Sequence, residues 1–144
     1  MFYEKIVMEI LNSFSEINWL SVIVSTIIAF AIGAVWYSPL LVGNAWQKEI
    51  NLSTDDLKNT NMALVFGPAF VLTFIGAIIL ELLIGQQSTL AEGLVTGLIV
   101  SIGFITTALG INYLFARHSL KLFLIDSGYF IIFFAVMGMI LGAW

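Results

Sequence analysis

Four long runs of apolar residues, almost free of charge, are separated by short polar segments along this chain. A hydrocarbon core about 30 Å thick takes roughly 20 apolar residues of α-helix to cross. Runs of that length cover residues 19–42, 62–84, 93–115 and 120–144. They predict four transmembrane helices. The third run has no charge; the second carries Glu81 near its far end, and the fourth carries Asp126 about one and a half turns from its start, with Lys121 at its edge.

The first 16 residues follow another pattern. Glu4, Lys5, Glu9 and Glu16 are too frequent for a span, and the acidic start lacks the positive region of a signal peptide. Phe2, Tyr3, Ile6, Val7, Ile10, Leu11 and Phe14 recur at three- and four-residue spacing, opposite Glu4, Lys5, Glu9, Asn12 and Glu16. Residues 1–16 are therefore read as an amphipathic helix lying in the membrane interface. Packing of that face on the bundle, or on a second copy, is the alternative. Residues 17–144 form the four-helix transmembrane domain.

The connections set the topology. Residues 43–61 make a long loop holding Lys48, Glu49, Asp55, Asp56 and Lys58, in which Ser53 reads as the N-cap of a short helix with two acids in its first turn. Residues 85–92 are a short polar turn, and 116–119 are shorter still. Connections this short force antiparallel neighbours, giving an all-α, up-down, polytopic bundle.

Composition then narrows the function. The chain is 60% hydrophobic and 10% charged, where a soluble domain carries about 25% charged residues. That excludes a soluble enzyme and a disordered tail. A net charge of −4 offers no basic footprint for nucleic acid, and the absence of cysteine removes disulfides and thiolate chemistry. The partner implied is the lipid bilayer of a cell membrane. Lys48, Lys58, Arg117 and Lys121 on one side against Lys5 on the other predict that loops 43–61 and 116–119 face the cytoplasm, with both termini outside.

Helices in lipid approach closely through small residues, and each span has a stripe of them. These are Ser21, Ser25, Ala29 and Gly33; Ala69, Thr73 and Ala77, leading to Glu81; Gly93, Gly97 and Ser101; and Gly138 with Gly142. A tight bundle follows, with one stripe left over for a homo-oligomer. Pro39 is expected to end or kink the first span, whereas Pro68, near the start of the second, costs little.

A charge retained at membrane depth is a functional candidate by default. Glu81 lies within reach of the interface, and Asp126 is expected to pair with Arg117, His118 or Lys121 and so tie the third and fourth helices together. Antiparallel order also brings Trp36, Tyr37, Ser38, Trp46, Asn112, Arg117, His118, Asp126 and Tyr129 to one leaflet. Of these, Trp36, Tyr37, Trp46, Asn112, Arg117, His118, Asp126 and Tyr129 form the candidate ligand-binding set, able to hold a lipid headgroup or an anionic solute. Glu81 and Asp126 are the candidate intramembrane acids. No HExxH, GxSxG or P-loop is present, and one histidine makes no metal site, so neither a catalytic residue nor a metal or other cofactor is expected.

The run Trp36-Tyr37-Ser38-Pro39-Leu40-Leu41-Val42-Gly43-Asn44-Ala45-Trp46, the Leu52-Ser53 helix start, the stretch Asn112-Tyr113-Leu114-Phe115 through Leu120-Lys121 to Asp126-Ser127-Gly128-Tyr129, and Met137-Gly138 with Leu141-Gly142-Ala143-Trp144 resemble the membrane-protein family called domain of unknown function 1761. The resemblance covers most of the chain beyond Ile17 and implies four transmembrane helices without an assigned activity. It also implies phenylalanine where Val42 stands and asparagine where Asp126 stands, which favours a hydrogen-bonding role at 126 over proton relay. The function expected is a non-enzymatic protein that binds a lipid or amphiphile or supports a partner. A small oligomeric proton- or cation-coupled transporter is the alternative, and a membrane-embedded enzyme on a lipophilic substrate the third.

Overall fold

A computed structural model describes residues 2–144, apart from the side chains of Phe2, Ile6, Glu9, Ile10 and Thr54. The helices are α1 (Phe2–Ser15), α2 (Trp19–Trp36), α3 (Gly43–Glu49), α4 (Thr54–Asn59), α5 (Met62–Ile84), α6 (Leu90–Leu98), α7 (Thr107–Ala116) and α8 (Leu120–Ala143). A π-helical segment, Ile99–Thr106, joins α6 to α7. Four helices are long and apolar enough to cross a membrane: Trp19–Trp36, Met62–Ile84, Leu90–Ala116 and Leu120–Ala143. The fold is an all-α, polytopic four-helix bundle.

The fourth span is the hub, packing against α2, α5 and α6. Phe133, Met137 and Leu141 from α8 join Val22 and Ala29 from α2 and Ala77 and Leu80 from α5 in the core, closed below by Ile17. Leu72, Phe104, Leu114 and Phe115 are mostly exposed and form part of the apolar outer surface. Along α2, Ser21, Ser25 and Ala29 of the predicted stripe are buried and Gly33 is half-buried, and Ser21 and Ser25 donate their hydroxyls to the carbonyls of Asn18 and Val22. With that demand met inside the helix, a serine can face an apolar neighbour.

The closest approach is between α6 and α8. A Cβ placed on Gly93 would lie 2.0 Å from the Gly138 carbonyl oxygen, and one on Gly97 would lie 2.1 Å from that of Phe134. Reciprocally, a Cβ on Gly138 would lie 2.2 Å from the Gly93 carbonyl oxygen, and one on Gly142 2.5 Å from that of Thr89. Backbone therefore touches backbone, and the predicted stripes of the third and fourth spans are consumed against each other.

Three boundaries differ from the expectation. α2 stops at Trp36, not residue 42, because Tyr37 caps it by donating its N–H to Gly33 and Pro39 cannot extend the ladder. The third span starts at Leu90 rather than 93, since Thr89 and Glu92 form a reciprocal capping box and draw Glu92 into the first turn. Part of the long loop is helical as α3, which has no side-chain cap at Val42 to announce it. The Ser53 cap is present, as a capping box with Asp56. In α1, Tyr3, Leu11 and Phe14 are exposed, while Phe2, Ile6 and Ile10 of the expected apolar face lie outside the described side chains.

Candidate functional site

The polar cluster forms where the end of α2 meets the start of α8. Beyond Tyr37 the chain turns back sharply, with the Gly43 N–H donating to Ser38 and the Val42 N–H to Trp36. A Cβ at Gly43 would lie 2.2 Å from the Tyr37 carbonyl oxygen, so the turn admits only glycine there. The reversal lays α3 over the end of α2 and sets the Trp46 ring 5.2 Å from that of Tyr37.

Asp126 is the centre of the cluster, 7% exposed on α8. The Tyr37 hydroxyl donates to its Oδ1 at 2.7 Å, and the Tyr113 hydroxyl to its Oδ2 at 2.6 Å. Distances this short are those of hydroxyls donating to a carboxylate. One acid thus binds the end of the first span and the end of the third to the fourth. The ion pair expected for Asp126 is not formed among the described residues, because Lys121 lies 3.2 Å from Glu49 on α3 instead.

Around this centre the aromatic rings pack against one another and against glycine. Tyr129 lies 5.1 Å from Tyr37, and a Cβ on Gly33 would come within 3.0 Å of the Tyr129 hydroxyl. Trp36 donates its indole N–H to the Ile125 carbonyl at 3.2 Å, with its ring over Gly128. Trp36, Tyr37, Trp46, Asp126 and Tyr129 are therefore brought together as a packed group. His118 stands 4.8 Å from the Tyr113 ring, one residue removed from Asp126. Arg117 closes α7 in a left-handed conformation (φ 58°) and is exposed, as is Asn112, so neither joins the group.

Tyr113 and Glu49 are the participants that the sequence reading missed. Tyr113 sits beside Asn112 in the distinctive stretch, and its signal was that it is the tyrosine of the third span in the cluster's leaflet. Glu49 receives a hydrogen bond from the Ser119 hydroxyl as well as the Lys121 contact, and these hold its carboxyl below the ordinary glutamate range. The strap from Glu49 to Ser119 and Lys121 fixes α3 over the start of α8. Thr106 Oγ1, in the π-helical segment, and Ser127 Oγ, next to Asp126 on α8, are buried without a hydrogen-bond partner among the described residues.

Beside the cluster lies an open groove of about 580 Å³. Trp36, Val42, Ala45, Leu120, Leu124 and Ile125 make its walls apolar, and Lys121 supplies a cation at its edge. At the other end of the bundle, Glu81 is buried in the last turn of α5, where the first span begins. Its carboxylate faces the backbone N–H of Asn18.

A family model described as "Protein of unknown function (DUF1761)" matches residues 20–142. No curated protein matches the chain, and neither does any solved structure.

Proposed function

The chain belongs to the DUF1761 family, and from that premise we propose that it is a non-enzymatic membrane protein that holds an anionic lipid or similar amphiphile against the α2–α3–α8 corner. The observation that carries this reading is the groove lined by Trp36, Val42, Ala45, Leu120, Lys121, Leu124 and Ile125, an apolar trough with one ammonium group at its end. An acyl chain suits the trough and an acidic headgroup suits Lys121, which exchanges its contact with Glu49 for one with the ligand. The packed Asp126 cluster is then the rigid wall behind the groove. With Lys48, Lys58, Arg117 and Lys121 at this end, the positive-inside rule puts the groove in the cytoplasmic leaflet, where anionic lipids attract basic residues.

Native mass spectrometry of the detergent-purified chain tests the proposal. Wild type should retain an anionic lipid in preference to a zwitterionic one of equal chain length. Lys121→Ala should remove the preference, and Leu124→Trp, which fills the trough, should remove the retained lipid. Equal retention of both lipids by all three proteins overturns it.

A further inference from the structure

At the opposite end of the bundle, Glu81 presents a separate chemical problem. It is 6% exposed, yet its Oε2 has no hydrogen-bond partner among the described residues. A buried carboxylate with a bare oxygen is costly unless a positive charge or a proton meets it. Next to it is a cavity of about 40 Å³ lined by Ser13, Glu16, Glu81 and Gln86, together with Ile17, Leu82 and Gly85. A single water needs about 10–15 Å³ of such space, so there is room for one small ion with a water.

The polar groups on this wall are oxygen-bearing, as hard cations prefer. None of the lining residues is Lys or Arg, so among the described residues no side chain of the lining supplies a cation. Glu16 is the second titratable group on the wall and is exposed. With room for one ion and a water, the cavity suits a small monovalent cation better than calcium, which takes six or more oxygens, or magnesium, which keeps several waters. The site is also clasped: Gln86 donates its amide to the Glu16 carbonyl at 2.7 Å, joining the α1–α2 linker to the turn after α5.

We propose that the cavity formed by Glu81, Glu16, Ser13 and Gln86 binds one small monovalent cation, a sodium ion or a proton, and that the bound charge locks the α1–α2 linker onto α5. The test follows thermal unfolding of the full chain in detergent by tryptophan fluorescence. Sodium is exchanged for choline at constant ionic strength, at mildly acidic and mildly alkaline pH, in wild type, Glu81→Gln and Glu16→Gln. A Tm that rises and saturates with sodium in wild type, flat in Glu81→Gln and shifted several-fold in midpoint by Glu16→Gln, assigns a sodium ion. A Tm insensitive to sodium that rises on acidification in wild type and is flat in Glu81→Gln assigns a proton. Neither dependence in wild type, or the same dependence in wild type and Glu81→Gln, overturns the site. If Glu81→Gln does not fold, Glu16→Gln decides: an unchanged sodium midpoint and an unchanged pH response overturn it.

Discussion

Replacing Gly93 by alanine puts a methyl carbon 2.0 Å from the Gly138 carbonyl oxygen, 2.9 Å from the Gly138 carbonyl carbon and 3.0 Å from the Gly142 Cα. All three are backbone atoms, so no side chain can swing aside. To restore ordinary contact at about 3.4 Å, α6 and α8 must separate by roughly 1.4 Å, and a gap of 0.5–1 Å already forfeits a quarter to a half of each dispersion contact. Overpacking of this kind costs about 1–3 kcal/mol. Alanine returns up to about 1 kcal/mol of helix propensity, which does not offset the clash at the upper end of that range. Gly103 supplies the control, because a Cβ there meets nothing within 4 Å. Equilibrium unfolding in mixed micelles should find Gly93→Ala less stable than wild type by up to about 2 kcal/mol net, with Gly103→Ala neutral or slightly more stable. The Gly93→Ala/Gly138→Ala double variant should lose less than the sum, since helices already separated pay once. If Gly93→Ala and Gly103→Ala unfold alike, the backbone contact between α6 and α8 is not what closes this bundle.

Asp126→Leu should destabilise by about 1–3 kcal/mol for each tyrosine hydroxyl left without an acceptor, while Asp126→Asn, which keeps an acceptor, should lose less; equal losses in a chemical unfolding series refute the two-tyrosine account. The Glu49 carboxyl lies below its ordinary value because of Ser119 and then Lys121. Its strap is therefore intact above the usual glutamate pKa and is lost as the pH falls through the depressed value. Hydrogen exchange across residues 43–49 should accelerate on acidification in wild type and be fast at every pH in Glu49→Ala; a wild-type rate indifferent to acid refutes it, once corrected for the intrinsic pH dependence of exchange. The chain has no cysteine, so Asn59→Cys and Gln86→Cys report orientation directly: an impermeant thiol reagent should label position 86 from outside and position 59 only after permeabilisation, and the reverse pattern overturns the assigned topology.

The four spans were legible because bilayer thickness imposes length and composition together, and few other features of a sequence are so constrained. The stripes Gly93–Gly97 and Gly138–Gly142 were legible for a related reason, since small residues are what lets backbones touch in lipid. The partners of Asp126 were not. Charge attraction along the sequence points to Arg117, His118 and Lys121, but the left-handed turn at Arg117 leaves that side chain exposed, and Glu49 holds Lys121. The acid is met by neutral phenols, and Tyr37, 89 positions away in sequence, reaches it through a turn that Gly43 alone permits. Such a contact leaves no periodic trace. α3 escaped because it is seven residues long and begins without a side-chain cap. Whether Glu81 is solvated or packed was not legible, because its distance from the helix end gives its depth, whereas its exposure depends on what the α1–α2 linker lays over it.

The π-helical segment of the third span acts as a change of phase. Along an unbroken α-helix, at about 100° per residue, Gly97 and Tyr113 would stand about 160° apart and look in opposite directions. Yet Gly97 abuts the backbone of Phe134 on α8, and Tyr113 reaches Asp126 on that same helix. The eight residues of Ile99–Thr106, closed by wider i→i+5 bonds, turn less per residue and fall behind by roughly 100–150°, which swings Tyr113 round to the side that Gly97 already faces. The third span is thus two helices with different bearings spliced into one rod, and removing a residue from the splice would rotate the tyrosine out of the cluster while scarcely shortening the span.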